Sequence, residues 1–177
     1  MIRKLTLLAI TIVFALSAWA QMDSKPGPEV KKLDAFVGTW TTEGAVAQGP
    51  WGPGGKFSAT NTTDWMPGNF FTEGHSDFKM PAEIGGGGKE TIYMGYDADE
   101  NVYIYDSFSS LGRHHVSKGT VTGDTWVWTS EETYSGQPVK QKMTIKILAP
   151  TNHSMKFEIS LDGTTWMTFM EGKATKK

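Results

Sequence analysis

The 177 residues carry 17 Lys and Arg against 19 Asp and Glu, with no basic cluster beyond the last few positions, a balance that argues against nucleic acid as a partner. The complete absence of cysteine excludes disulfides, thiolate metal sites and cysteine nucleophiles together. What remains is an aromatic-rich chain of one domain's length, able to bury a core without covalent staples.

The first residues run Met1-Ile2-Arg3-Lys4, then apolar from Leu5 to Leu16, then Ala18-Trp19-Ala20, which is the order of a secretory signal. Residues 1–20 are therefore expected to be a signal peptide cut after Ala20, placing the protein in the periplasm or outside the cell. The apolar run falls short of the about 20 residues a spanning helix needs, so stable membrane insertion is not expected. Without Arg3 and Lys4 the mature chain keeps 15 basic against 19 acidic residues, a formal charge of about −4.

Residues 21–28 are polar with two prolines and read as a flexible leader to a single domain over 29–177. From Pro28, apolar Val30, Leu33, Phe36 and Val37 recur at helical spacing while Glu29, Lys31, Lys32 and Asp34 face away, predicting about two turns ended by Gly38 at the C′ position. A strand follows over 39–46. The next stretch, Q-G-P-W-G-P-G-G at 48–55, is a loop carrying one large apolar side chain, Trp51, which either folds over an opening or pins the loop to the outer wall.

Period-two patterns then predict strands at 56–65, 70–78, 91–96, 102–108, 113–121, 125–133, 138–148, 154–161 and 165–175. The four glycines at 85–88 read as flexible. Alternation is cleanest late in the chain, where Val139, Gln141, Met143, Ile145 and Ile147 share one face and Met155, Phe157, Ile159 and Leu161 share another. Ten strands joined mostly by short turns predict an all-β, up-and-down antiparallel barrel with a short N-terminal helix closing one end, and a barrel of that size has room for side chains or one small ligand.

Gly38-Thr39-Trp40 at the mouth of the first strand, behind a helical plug and ahead of a ten-strand meander, resembles the G-x-W signature of the lipocalin-like, calycin-type barrels. More closely, the sequence resembles a bacterial family of exported proteins known only as a domain of unknown function. The stretches that carry this are 28–40, Met94-Gly95-Tyr96-Asp97, Lys118-Gly119-Thr120, Gly123-Asp124-Thr125-Trp126 and Met170-Glu171-Gly172-Lys173. The resemblance implies that a basic residue of the last strand packs over Trp40; Lys173 or Lys176 is available, and Gly38, Trp40 and Lys173 are taken as the closure set.

Inside such a barrel, Trp126 and Trp128 share a face with Ser130, and Tyr103 and Tyr105 share one with Ser107. These faces are expected to be internal, since monomers avoid an exposed aromatic patch of that size. With Trp65, Gln141, Met143 and Phe157 they form the expected ligand-binding set, suited to a flat apolar molecule with a few polar atoms.

Three histidines are candidates for metal or haem. Glu73, His75 and Asp77 share one face of a strand, either as a cation or proton-relay row or as an ordinary solvated outer face. His114 and His115 are adjacent and so point to opposite faces; an inward one would permit single-histidine haem ligation of the kind the resemblance includes. His153, beside a turn, is expected to be exposed. Gly88-Lys89 fails as a phosphate loop because Glu83 stands where the motif needs glycine, and no G-x-S-x-G or H-E-x-x-H motif occurs. The leading expectation is thus an exported barrel, monomer or dimer, that carries a small hydrophobic molecule and needs no cofactor. The alternatives are a haem or metal protein or enzyme using a barrel histidine, and an envelope barrel that presents its loops to a partner.

Overall fold

A computed structural model describes residues 25–134 and 136–177; the expected signal peptide and the leader as far as residue 24 lie outside the described residues. Pro28–Lys31 (α1) is a single α-helical turn with proline at its start, where the missing N–H costs no hydrogen bond, and it tightens into a 3-10 turn over Lys32–Phe36. The amphipathic pattern is as expected, and Val30, Leu33 and Phe36 are its buried members. Gly38 differs in role. Val37 is already extended and donates its N–H to the Asp34 carbonyl, so the helix ends without a glycine cap and Gly38 opens the first strand with φ 109°. A Cβ there would lie 2.6 Å from the Lys176 chain, and that φ is one L side chains rarely adopt.

Ten strands follow: β1 Gly38–Val46, β2 Gly55–Trp65, β3 Thr72–Lys79, β4 Gly87–Asp97, β5 Val102–Ser109, β6 His114–Thr122, β7 Thr125–Tyr134, β8 Gln137–Ala149, β9 Asn152–Ser160 and β10 Met167–Lys176. Each pairs antiparallel with its neighbours in sequence, and β1 closes on β10 through the register Trp40↔Lys176 to Val46↔Met170. Closure leaves no strand edge to be covered. Of the glycines expected to be flexible, Gly87 and Gly88 belong to β4, opposite Lys79 and Phe78, because the β3–β4 ladder runs further than the apolar alternation does.

Two irregularities redirect side chains. In β8 the register slips between Ile147 and Ala149, and the residue between, Leu148, is exposed. In β10 it slips between Thr168 and Met170, so that consecutive Phe169 and Met170 both reach the interior, which regular alternation forbids. Leu161, expected inside, lies just past the end of β9 and is 54% exposed at the barrel mouth.

Candidate functional site

The interior divides into two storeys. At the closed end, the plug is stitched to the barrel by aromatic donors. Trp40 Nε1 donates to the Phe36 carbonyl at 3.1 Å, Trp65 Nε1 to Asp34 Oδ1 at 2.8 Å, and the Tyr103 hydroxyl to Glu29 through its carbonyl and Oε2 at 3.0 and 2.9 Å. Burial, followed by the Glu29 carboxylate beside it, pushes the Tyr103 hydroxyl well above the usual phenol range. Trp126 takes Phe36 edge-on at 4.9 Å and Tyr103 at 4.6 Å, and Leu33 beneath them is fully buried. Trp65, Tyr103 and Trp126, expected as ligand contacts, are therefore floor: the plug that follows the leader occupies the space these rings would otherwise leave to a ligand.

The closure set changes by one residue. Lys176 places its ammonium 5.5 Å from the centre of the Trp40 ring, whereas Lys173 sits opposite Glu43 on the outer face. Strand parity is the cause, since in β10 Ala174 points inward and Lys173 must point out. His153 is also corrected. It is buried, with its ring 4.6 Å from that of Trp40, because the turn beside it lies at the plugged end.

Above the floor is a cavity of about 960 Å³ that opens at the other end, between the loops after β1 and β3. Five of the expected ligand residues line it: Tyr105, Trp128, Gln141, Met143 and Phe157. Its two walls differ in chemistry. On the side of β1–β3 and β8–β10 stand Phe57, Phe78, Met155, Phe157 and Phe169, with Thr42, Asn61 and Ser76 among them, and on the side of β4–β8 stand most of the polar groups, with Ile92, Trp128 and Met143 among them. Trp51 resolves as a rim residue. Its loop is a pinched turn in which Gly49 and Gly52 exchange backbone hydrogen bonds at 3.0 Å, the indole donates to the Ala47 carbonyl at 2.7 Å, and the ring meets Phe169 edge-on at 5.1 Å.

The polar wall is internally bonded. Ser107 donates to Glu90 at 2.7 Å, and Gln141 accepts from Ser130 while donating to the Tyr134 hydroxyl at 3.1 Å. Arg113 lies over the Tyr134 ring, 5.1 Å from its centre. His115 joins the Glu132 carboxylate through Nδ1 and Ser117 through Nε2. Burial works against the Glu132 charge, but hydrogen bonds from His115 and Tyr134 and the nearby Arg113 outweigh it, so its carboxyl titrates below the ordinary value. Tyr105 is driven far above the phenol range, first by burial and then by the Glu90 charge. Glu90, Arg113, Ser117, Glu132 and Tyr134 were not singled out in the sequence. The signal for one pair was present: the Gly123-Asp124 turn pairs Thr122 with Thr125, and counting back along both strands sets His115 across from Glu132.

Of the two remaining histidines, His75 stands outside the cavity and His114 borders it at the rim. His75 is on the outer face, 3.4 Å from Glu73, while Asp77 is engaged by Lys89 at 2.6 Å, so the row is divided between separate ion pairs. Among the described residues no group of three or more His, Cys, Asp or Glu could hold a metal ion. His114 pairs with Asp106 at 2.6 Å and stacks on Phe108 at the rim.

A closed antiparallel meander, plugged at one end and hollow at the other, defines a lipocalin-like barrel. Within that class the chain belongs to the family described as protein of unknown function (DUF1579), which matches residues 25–176. Two of the solved structures that share the fold are similar over most of this chain. Rv2717c from M. tuberculosis is 13% identical, with a TM-score of 0.58 over 85% of this chain and 98% of that one. The S-type phycobiliprotein lyase CPES from Guillardia theta is 10% identical, with a TM-score of 0.59 over 89% and 96%. No curated protein matches the sequence.

Proposed function

We propose that the protein is an exported carrier or receptor for one small molecule, largely apolar and with polar atoms along one edge, held in the upper storey of the barrel. One observation carries this: a cavity of about 960 Å³ whose aromatic-rich side, with Phe57, Phe78, Phe157 and Phe169, faces a side that carries bonded polar groups, Ser130, Glu132 and Gln141 among them. That volume lies in the range of pockets that enclose a drug-sized ligand. The apolar wall supplies affinity by removing surface from water, and the polar wall fixes orientation. The same fold hosts many ligands, so it is the lining that names the class. Export is supported by the order of residues 1–20, and a mature N-terminus at Gln21 in a periplasmic or culture fraction is the result that tests it.

Of the three histidines weighed as haem or metal ligands, His75 lies on the outer face, His114 is bonded to Asp106 at the rim, and both ring nitrogens of His115 are engaged. Titration with 1-anilinonaphthalene-8-sulfonate, paired with native mass spectrometry of protein purified from its own host, tests the carrier. One saturable site, displaced by the co-purified molecule, is expected. A protein that arrives empty and shows no saturable site would remove the proposal.

A further inference from the structure

His115 and Ser117 are two residues apart on β6, so both side chains enter the barrel. Ser117 Oγ lies 2.7 Å from His115 Nε2, while His115 Nδ1 is bonded to the Glu132 carboxylate on β7, and all three line the cavity. Hydroxyl, imidazole and carboxylate thus form one unbranched chain in the order that acyl transfer uses, a constellation recognised by geometry and role and not by sequence position. Its direction is set from the far end. An ionised carboxylate only accepts, so the proton belongs on Nδ1, and Nε2 is left with its lone pair toward the serine hydroxyl.

We infer that Ser117 is a nucleophile, with His115 as its general base and Glu132 as the residue that positions the imidazole, and that the protein hydrolyses carboxylic esters whose apolar part fills the cavity. This rests on the reading of that cavity as a ligand site. Ser117 Oγ attacks the ester carbonyl carbon while His115 Nε2 takes the hydroxyl proton. The bond to the leaving oxygen then breaks, and that oxygen departs as an alcohol carrying the same proton. Water, deprotonated by His115, attacks the acyl-serine and releases the carboxylic acid, restoring the hydroxyl. The balance is ester plus water to acid plus alcohol, with no other reactant. Donors for the developing oxyanion stand on the same wall: Gln141 has a second amide N–H beyond the one given to Tyr134, and Arg113 brings a full charge. The facing wall, with Phe57, Phe78 and Phe157, accepts an alkyl or aryl chain.

An alkyl fluorophosphonate, applied to the purified mature protein and followed by peptide mapping, tests this. The expected adduct is on Ser117, absent in Ser117→Ala. Phosphonylation should slow by about 10²-fold or more in His115→Gln, with saturation by the probe at unchanged concentration, because the base acts on the chemical step. Should that variant not fold, Glu132→Gln keeps the side chain's shape and is read in the same way. p-Nitrophenyl octanoate should be hydrolysed in parallel with labelling. A protein that saturates with 1-anilinonaphthalene-8-sulfonate in the cavity yet leaves Ser117 unlabelled overturns the hydrolytic inference and leaves the carrier standing. Failure of both readouts overturns both, and labelling indifferent to His115 and Glu132 overturns the relay.

Discussion

Trp40 and His153 pack ring against ring across the closed end of the barrel, their centroids 4.6 Å apart and their planes tilted by 45°. Phe36 meets the imidazole from the plug at 6.4 Å, and Nδ1 has no hydrogen-bond partner. Burial holds the His153 pKa below its ordinary value. In the unfolded chain the ring protonates near the usual 6.5, so over the window below that value the unfolded state binds the extra proton. Stability from this site is complete above about pH 6.5 and is lost as pH falls. Thermal unfolding of His153→Phe against wild type, from pH 7.5 to 5, should show the wild-type Tm falling more steeply. Parallel curves would sink the assignment.

Gly119 and Trp128 face each other across the β6–β7 ladder, and a Cβ on the glycine would meet the indole ring at 2.5 Å. Trp128 is almost wholly buried, with Tyr105 and Trp126 packed against its ring, so any shift must disturb those contacts. Gly119→Ala should cost about 1 to 3 kcal/mol, the usual range for overpacking. Denaturant titration checks it, and a loss below a few tenths would mean that the ring moves freely.

Most of the barrel is legible in the sequence because period two fixes which residues share a face, and the β8 and β9 faces read correctly from Val139 to Ile147 and from Met155 to Ile159. Parity alone cannot say at which height along the strand a residue sits. Tyr103 and Tyr105 share a face, yet one bonds the plug and the other lines the cavity, and the depth of the plug decides between them. His153 was misplaced for the same reason: a turn at the plugged end buries what a turn at the rim would expose. Bulges hide the rest. Nothing in Thr168-Phe169-Met170 announces that two consecutive side chains enter. Glu132, by contrast, is legible from the register that the Gly123-Asp124 turn sets, which brings it to His115.

The two storeys should separate in mutagenesis. Trp126 belongs to the floor, so Trp126→Ala should cost about 3 to 5 kcal/mol of stability, as for other buried aromatic truncations. Phe157 lines the cavity and is only partly buried, so Phe157→Ala should weaken probe binding by roughly tenfold, equivalent to about 1.4 kcal/mol, with a smaller loss of stability. Parallel denaturation and probe titration measure both. If Trp126→Ala stayed folded and lost affinity as Phe157→Ala does, the division between floor and cavity would be wrong.

Trp51 should govern the rate of entry more than the strength of binding. Its ring is held at the mouth by the bond to Ala47 and the edge contact with Phe169, both at the rim. Removing it in Trp51→Ala forfeits an aromatic pair of about 0.5 to 1.5 kcal/mol and leaves the barrel ladders untouched. A ligand must pass this ring in both directions, so association and dissociation rates should rise together while their ratio changes little. Stopped-flow mixing with 1-anilinonaphthalene-8-sulfonate separates the two. Unchanged rates would show that ligand enters by another route, whereas a faster dissociation alone would show that the indole is a contact of the bound molecule and not a cover over it.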